Sequence, residues 1–349
     1  MKTVFHAGGK IVTSIVMTLT ATLMSFASAD VNIYSYREES LIKPLLDAFT
    51  AETGVKTKVQ FLKKGLVERV KNEGLNSPVD LILTTDISRL NAAKIAGVTA
   101  SLNPNIQSEN YIVTAVPESF RDAENNWFGL TTRGRVVYAS VDRVEQDSIT
   151  YEELADPKWA GRICIRSGQH AYNNALFASM IAHLGEAGAE EWLKGLKANL
   201  ARKPNGNDRA QAKGIFSGEC DLGIGNTYYV GLMKTNDKNP EQKEWAKSLK
   251  VLFPNTADRG THVNVSGMAL AKYAPNRDDA LKLMQFLVSL KAQKMYADAV
   301  FEYPIVVDAQ ASDVVKSIGD FKADSIALET IAELSKKASE MVDRVGFNN

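Results

Sequence analysis

Apolar and polar positions change period along this chain in an ordered way. Residues 31–36 alternate as a half-buried strand does, and residues 41–53 then set Leu41, Leu45, Leu46 and Phe49 at helical spacing. Residues 55–61 return to strand, 66–74 read as helix, 79–83 as a buried strand and 87–96 as helix. Strand and helix thus alternate, which predicts an open α/β sheet with helices on its faces. A second α/β stretch begins near Arg162, with a strand over 163–166, helices over 173–184, 187–199 and 209–216, and a buried strand over 221–224 followed by another helix. Residues 278–299 form an amphipathic helix, and 317–345 supply further helix.

Between the two units lies the β-rich segment 127–141, long enough to cross from one to the other, and residues 251–270 form a second β-rich segment able to cross back. Two crossings between two α/β units create a hinged cleft, a favoured place for ligands. The expected fold class is therefore α/β, two-lobed with a hinged interdomain cleft. The first lobe is placed at 30–132 plus about 262–305, the second at about 138–255, and residues 306–349 are C-terminal helices packing on the lobes. No internal repeat or low-complexity tract interrupts this plan.

Residues 1–29 have a different character. Lys2 and Lys10 make a basic start, residues 11–26 are mostly apolar, and Ala27-Ser28-Ala29 offers small residues for a signal peptidase. The expectation is an exported, periplasmic protein, cleaved after Ala29. Setting these residues aside removes two lysines and no acid from a chain of 41 basic and 41 acidic side chains, so the remainder carries two net negative charges. Such a balance has no polybasic footprint for nucleic acid or anionic lipid. Cys164 and Cys220 both lie in strand-like segments; a disulfide between neighbouring strands and unpaired thiols both remain open, while a metal site on these thiols lacks a second pair of ligands.

Several chemistries are excluded. There is no Gly-x-Ser-x-Gly elbow, Walker loop or His-Glu-x-x-His, and Tyr228 fills the third glycine position of the dinucleotide-like Gly223-Ile-Gly225 start. Only His170, His183 and His262 remain after residue 29, and His183 belongs to an apolar helix. What stands out is Asn226-Thr227-Tyr228-Tyr229 directly after a strand. Asn226 or Thr227 suits a helix cap, which would put both phenols at a helix N-terminus, where the macrodipole favours negative charge. Tyr172 repeats this setting after the strand at 163–166. Turns that follow strands gather at the carboxyl ends of an α/β sheet, where ligands bind.

Free tyrosine has a pKa of about 10, so deprotonation near neutrality needs a strong cation. A hard trivalent ion such as Fe³⁺ supplies that drive and prefers anionic oxygen. Neutral tyrosines around an organic cation are the other option that residue types leave open.

The chain resembles the periplasmic ferric-iron-binding proteins of bacterial ABC importers over essentially all of its length after residue 29. The resemblance is carried by Ile33-Tyr-Ser-Tyr-Arg37, Trp127-Phe-Gly-Leu-Thr-Thr-Arg-Gly-Arg135, Trp159-Ala-Gly-Arg162 and Tyr172-Asn-Asn174. It continues through Pro204-Asn-Gly-Asn-Asp-Arg209, Gly218-Glu-Cys-Asp221, Asn226-Thr-Tyr-Tyr229 and Gly260-Thr-His-Val-Asn-Val-Ser-Gly267. Their order and spacing are specific; each alone is weak. The resemblance implies two lobes closing as a clamp, with Tyr172, Tyr228 and Tyr229 as metal ligands on the second. Some members place His and Tyr after the first motif, where this chain has Glu38-Glu39-Ser40, so that His is absent and Tyr36 is the candidate fourth phenol.

Open positions on the metal would be filled by a synergistic anion such as carbonate, or by water. Arg133 and Arg37 are the implied anion-binding residues, with Arg135 left for a surface ion pair, while Glu38 and Glu39 either face solvent, the favoured reading, or replace the missing ligand. The expected partners are Fe³⁺ and an inner-membrane ABC permease, with the protein a monomer and no enzyme. An importer component for a small organic cation or thiamine-like solute is the alternative, and a secreted hydrolase a more distant one.

Overall fold

The computed structural model describes residues 30–349 together with Met1 and Thr3, so the signal-peptide expectation for 1–29 lies outside the described residues. The predicted alternation forms three successive units: β1 (Val31–Ser35) with α1 (Glu39–Thr53), β2 (Thr57–Phe61) with α2 (Leu66–Glu73), and β3 (Leu81–Thr84) with α3 (Ile87–Ile95). β1 lies between β2 and β3, parallel to both, with Ile33 opposite Val59 and Leu81. Burial on both faces explains why β3 reads as a continuous apolar run. α4 (Gln107–Ala115), which periodicity missed, precedes β4 (Phe128–Ser140), a strand of 13 residues that is buried throughout.

The second stretch contains β5 (Ile163–Cys164), α5 (Ala171–Ala198), α6 (Asp208–Phe216), β6 (Leu222–Asn226) and α7 (Thr227–Lys234). The two helices expected over 173–199 form one element broken at Gly185, where φ is 71°. α8 (Glu241–Lys247), also missed, leads to β7 (Leu249–Leu252) and β8 (Val263–Leu270). The helix expected over 278–299 is two helices, α9 (Arg277–Leu287) and α10 (Leu290–Val300), because Ser289 caps the second by accepting from Ala292 N at 3.2 Å. β9 (Tyr303–Pro304) and α11 (Asp313–Lys316) follow. The last helix, α12 (Leu328–Val345), starts later than the sequence pattern suggested, packs along α5 and also touches α3.

All nine strands of the described residues join one sheet, ordered β2-β1-β3-β8-β4-β6-β5, with β7 and β9 also on β4. β4 changes partners midway. Its residues 128–134 run antiparallel to β8, ending with Gly134 opposite Val263. From Arg135, opposite Asn226, it pairs with β6, and Val137 to Ser140 pair with β7. The segment between β7 and β8 returns the chain to the first half-sheet, so two connections join the halves. Among the described residues no helix is long and apolar enough to cross a membrane.

Cys164 and Cys220 form a disulfide that ties β5 to the start of β6, where Ile163 faces Leu222. It spans a sequence separation of 56. Restricting the unfolded chain over that span is worth about 4 kcal/mol. Replacing both cysteines with alanine is therefore expected to lower unfolding stability by about that amount in urea titrations; a loss under about 0.5 kcal/mol would contradict a stabilising role.

Candidate metal centre

β6 passes into α7 with no intervening loop, and this junction sets the phenols. Asn226, the last strand residue, is extended at φ −87° and ψ 145°, and Tyr228 and Tyr229 fall in the first turn of α7. Asn226 occupies the cap position as its type suggested, but its side chain makes no capping bond; its Oδ1 instead accepts from Arg135 Nη1 at 3.0 Å. Its carbonyl accepts from Tyr138 Oη at 2.5 Å, and a Cβ on Gly225 would lie 2.3 Å from the Tyr138 ring, so only glycine fits beside it. The rings of Tyr228 and Tyr229 stack at 4.4 Å. Tyr172 lies in the first turn of α5, capped by His170, whose Nδ1 accepts from Tyr172 N at 3.3 Å. Tyr228 Oη donates to Tyr172 Oη at 3.2 Å, so residues far apart in sequence present their phenols together.

The wall behind these rings is strongly basic. The guanidinium carbons of Arg166, Arg135 and Arg133 lie 5.2, 5.9 and 6.0 Å from the centre of the Tyr172 ring, and that of Arg209 lies 5.0 Å from Tyr229. Burial pushes the Tyr228 phenol well above its ordinary pKa, reinforced by Tyr172 and Tyr229. Burial raises Tyr229 as well, followed by the charge of Asp208. Both phenols are therefore neutral at neutral pH unless a cation displaces their protons. Burial, with Arg166 and Arg135 next, lowers His170 to about 4 and keeps it uncharged.

Asp208 organises this wall and was missed by sequence reasoning. It is fully buried at the start of α6. Its Oδ2 accepts from Arg135 Nη1 at 2.7 Å and from Asn226 N at 2.9 Å, while Oδ1 accepts from Arg166 Nη1 at 3.0 Å. Arg135 Nη2 also donates to Asn173 Oδ1 at 2.6 Å, beside Tyr172. One carboxylate thus fixes β4, the loop after β5, the start of α5 through Arg135, and the end of β6. The expectation of a surface ion pair for Arg135 is corrected: the side chain is 2% exposed and its partner is this buried acid. The motif Pro204-Asn-Gly-Asn-Asp-Arg209 was the only sequence signal for Asp208, and nothing local in it reveals the pairing.

Across the cleft, Tyr36 follows β1, half-buried; its Oη accepts from Leu66 N at 3.2 Å, and Arg89 sits 3.9 Å over its ring. Arg37 Nη2 donates to Ser266 Oγ at 2.5 Å and to Glu302 Oε1 at 3.2 Å. Arg133 donates through Nη1 to Ser266 Oγ at 3.1 Å and through Nη2 to the Thr85 carbonyl. Glu302, also missed from sequence, further accepts from Thr131 and Ser266. Glu38 and Glu39 are exposed, though Glu38 still borders the cleft.

All six residues expected at the site, Tyr36, Arg37, Arg133, Tyr172, Tyr228 and Tyr229, line one cleft of about 500 Å³, together with Thr85, Arg209 and Glu302 among others. Among the described residues, the close grouping of His, Cys, Asp or Glu ligand atoms is Cys164, Glu219 and Cys220, whose two sulfurs are consumed by the disulfide. Phenol oxygens are thus the concentrated donor set of this cleft.

Known proteins resemble this chain over most of its length. The chain matches the bacterial extracellular solute-binding protein family over residues 59–320. It is 42% identical to Iron uptake protein A1 of a Synechocystis species over 321 residues, covering 91% of this chain and 87% of the relative. A Bordetella ferric binding protein superposes with a TM-score of 0.86 at 46% identity, covering 92% of this chain and all of that one. A Trichodesmium protein solved in complex with iron and citrate matches with a TM-score of 0.85 at 39% identity, covering 91% of this chain and 100% of that one. The expected two-lobed architecture is that of these neighbours, and this chain belongs to the bacterial extracellular solute-binding proteins, in the group that contains the ferric-binding proteins.

Proposed function

We propose that this protein captures Fe³⁺ in the periplasm through Tyr172, Tyr228 and Tyr229 and delivers it, as a monomer, to an inner-membrane ABC permease for iron uptake. The observation that carries the proposal is the meeting of Tyr172 and Tyr228 oxygens at 3.2 Å, with Tyr229 stacked beside them in an arginine-walled cleft. Three phenolates neutralise the charge of a ferric ion and supply the hard anionic oxygens it prefers. The names of the Synechocystis, Bordetella and Trichodesmium relatives support the same cargo. Closing of the lobes brings Tyr36 and the Arg37–Arg133 wall toward the metal. Tyr36 becomes a fourth ligand on giving up its bond from Leu66 N, and a synergistic anion such as carbonate sits on the arginines through charge-assisted hydrogen bonds.

Metal capture must displace phenolic protons, and this sets the sign of the pH dependence. Burial raises the pKa of Tyr228 and Tyr229, so protons compete with the metal throughout the neutral and acidic range. Release of three protons per ion predicts that affinity falls by up to about 1,000-fold for each unit of acidification. Titrating apo-protein with a ferric chelate, while following the visible phenolate-to-iron band and proton release, tests this. Absence of the band, or release of fewer than one proton per iron, overturns the proposal.

A further inference from the structure

α12 is anchored on one side of the cleft and reaches across to the other. It packs along α5, and its C-terminal end grips the loop that leads to Tyr172. Gly168 N donates to Asn348 Oδ1 at 2.8 Å, and Gln169 Nε2 donates to Asp343 Oδ1 at 2.8 Å and to the Ser339 carbonyl at 3.0 Å. Phe347, fully buried, meets Phe177 of α5 edge-on with ring centres 5.6 Å apart. The N-terminal end of the same helix instead meets the half that carries β1 to β3. There Leu328 and Ile331 are buried in one apolar cluster with Leu90 and Ala93 of α3.

A pair of carboxyl groups closes this second contact. Asp122, in the turn before β4, is fully buried. Its Oδ1 accepts from Lys94 Nζ of α3 at 2.6 Å, and its Oδ2 accepts from Asn126 N at 2.9 Å and from Asn126 Nδ2 at 2.8 Å. Glu329, in the first turn of α12, makes a side-chain hydrogen bond to the same Asp122. Its Oε1 is buried and finds no donor among the described residues. Two carboxylates cannot hydrogen-bond without a proton, so one of the pair carries it. The surroundings choose which. Burial opposes charge on Asp122, but the hydrogen bonds from Glu329, Lys94 and Asn126 outweigh it and hold its pKa below the ordinary value. Burial and then Asp122 push Glu329 up to about 7, against the Ala123 N–H and the charge of Lys94. The dipole of α12 also favours a charged Glu329, so the proton is held there by the contact with Asp122 and not by the helix.

We propose that Glu329 and Asp122 form a proton-dependent latch, which fastens α12 and the α5 half of the molecule to the half that carries β1 to β3. This latch needs no iron. While Glu329 keeps its proton it donates to Asp122 and the contact holds. Once it ionises, two like charges face each other where little water screens them. A carboxyl whose pKa is raised by a contact stabilises that contact fully below its ordinary value of about 4.3. The stabilisation is then lost as the pH rises to about 7. The neighbouring charges have other partners. Lys94 also reaches Glu124, in the Asp122 turn, at 3.6 Å. On α5, His183 pairs with Asp324 at 2.7 Å, Glu186 with Lys337, and Glu190 with Arg344 at 3.2 Å. Glu333 stands one turn further along α12 and adds to the repulsion that an ionised Glu329 meets.

Amide hydrogen exchange of the iron-free protein between about pH 5 and pH 7 tests the latch, with protection corrected for intrinsic exchange and referred to β1 and β3. Wild type is expected to lose protection by at least about tenfold over this range at residues 331–334 and at Asn126 N, which donates to Asp122. Release of one proton on opening allows up to about tenfold per pH unit. In Glu329→Gln, whose amide donates to Asp122 at every pH, protection at the same positions is expected to stay within about threefold. Constant protection in wild type, or an equal fall in Glu329→Gln, overturns the latch. The side-chain carboxyl carbon of Glu329, followed by NMR in wild type, gives an answer that needs no variant. A titration midpoint near 7 supports the pair, and a midpoint below about 5 overturns it.

Discussion

Tyr228→Phe combined with Tyr229→Phe is expected to abolish the ferric charge-transfer band and to lower iron affinity by at least about 10⁴-fold. Loss of a single partner outside the coordination sphere typically costs about 10–100-fold in metal affinity, and each of these changes removes a proposed direct ligand. Phenylalanine keeps the ring and removes only the oxygen, so the 4.4 Å stack in the first turn of α7 is preserved. The variant therefore separates coordination from packing. If the pair serves only as a buried aromatic contact, iron binding by competition with a chelator will be unchanged and the band will persist. Apo-protein stability should move by no more than about 1 kcal/mol, since one neutral hydrogen bond, from Tyr228 to Tyr172, is lost.

Asp208→Asn has the second large expected effect, and it acts first on folding. Arg135, 2% exposed, and Arg166, 12% exposed, share this one carboxylate. Removing one partner of a buried ion pair typically costs about 3–5 kcal/mol, because the other charge is left without compensation. The measurement is the urea midpoint of the apo-protein, with a loss below about 1 kcal/mol contradicting a buried ionic hub. Iron affinity should fall too. The same carboxylate holds Asn226 N directly and, through Arg135, holds Asn173, so both tyrosine-bearing turns loosen when it is neutralised. A variant with lowered stability but wild-type affinity and an unshifted band would show that the hub supports the fold and not the geometry of the phenols.

Local pattern carried much of this protein. The alternation of 31–36, the helical spacing of Leu41, Leu45, Leu46 and Phe49, and the buried strand at 79–83 reflect burial imposed by period, which neighbours in sequence reveal. The break after β6 was legible for the same reason, since a strand meeting Asn-Thr before two tyrosines has one economical continuation. The weaker elements were not legible. α4 and α8 are short, and the division between α9 and α10 depends on a serine cap that a continuous amphipathic pattern conceals. β4 read as one β-rich segment, yet its change of partner between Gly134 and Arg135 depends on where β8 ends and β6 begins.

The cleft divides along the same line. Tyrosine type, its place after a strand and the scarcity of histidine pointed to anionic oxygen chemistry without any coordinates. Three-dimensional structure alone decided how the charges are paired. Arg135 meets Asp208 across 73 residues and Arg37 meets Glu302 across 265, so no local spacing encodes either contact. Arg37 and Arg133 were visible as candidate anion donors, while the acid that tempers them was hidden at the end of a helix in a different part of the chain. Periodicity records which side of an element is buried; it holds no information about which buried charge lies opposite another, because that depends on the packing of elements distant in sequence.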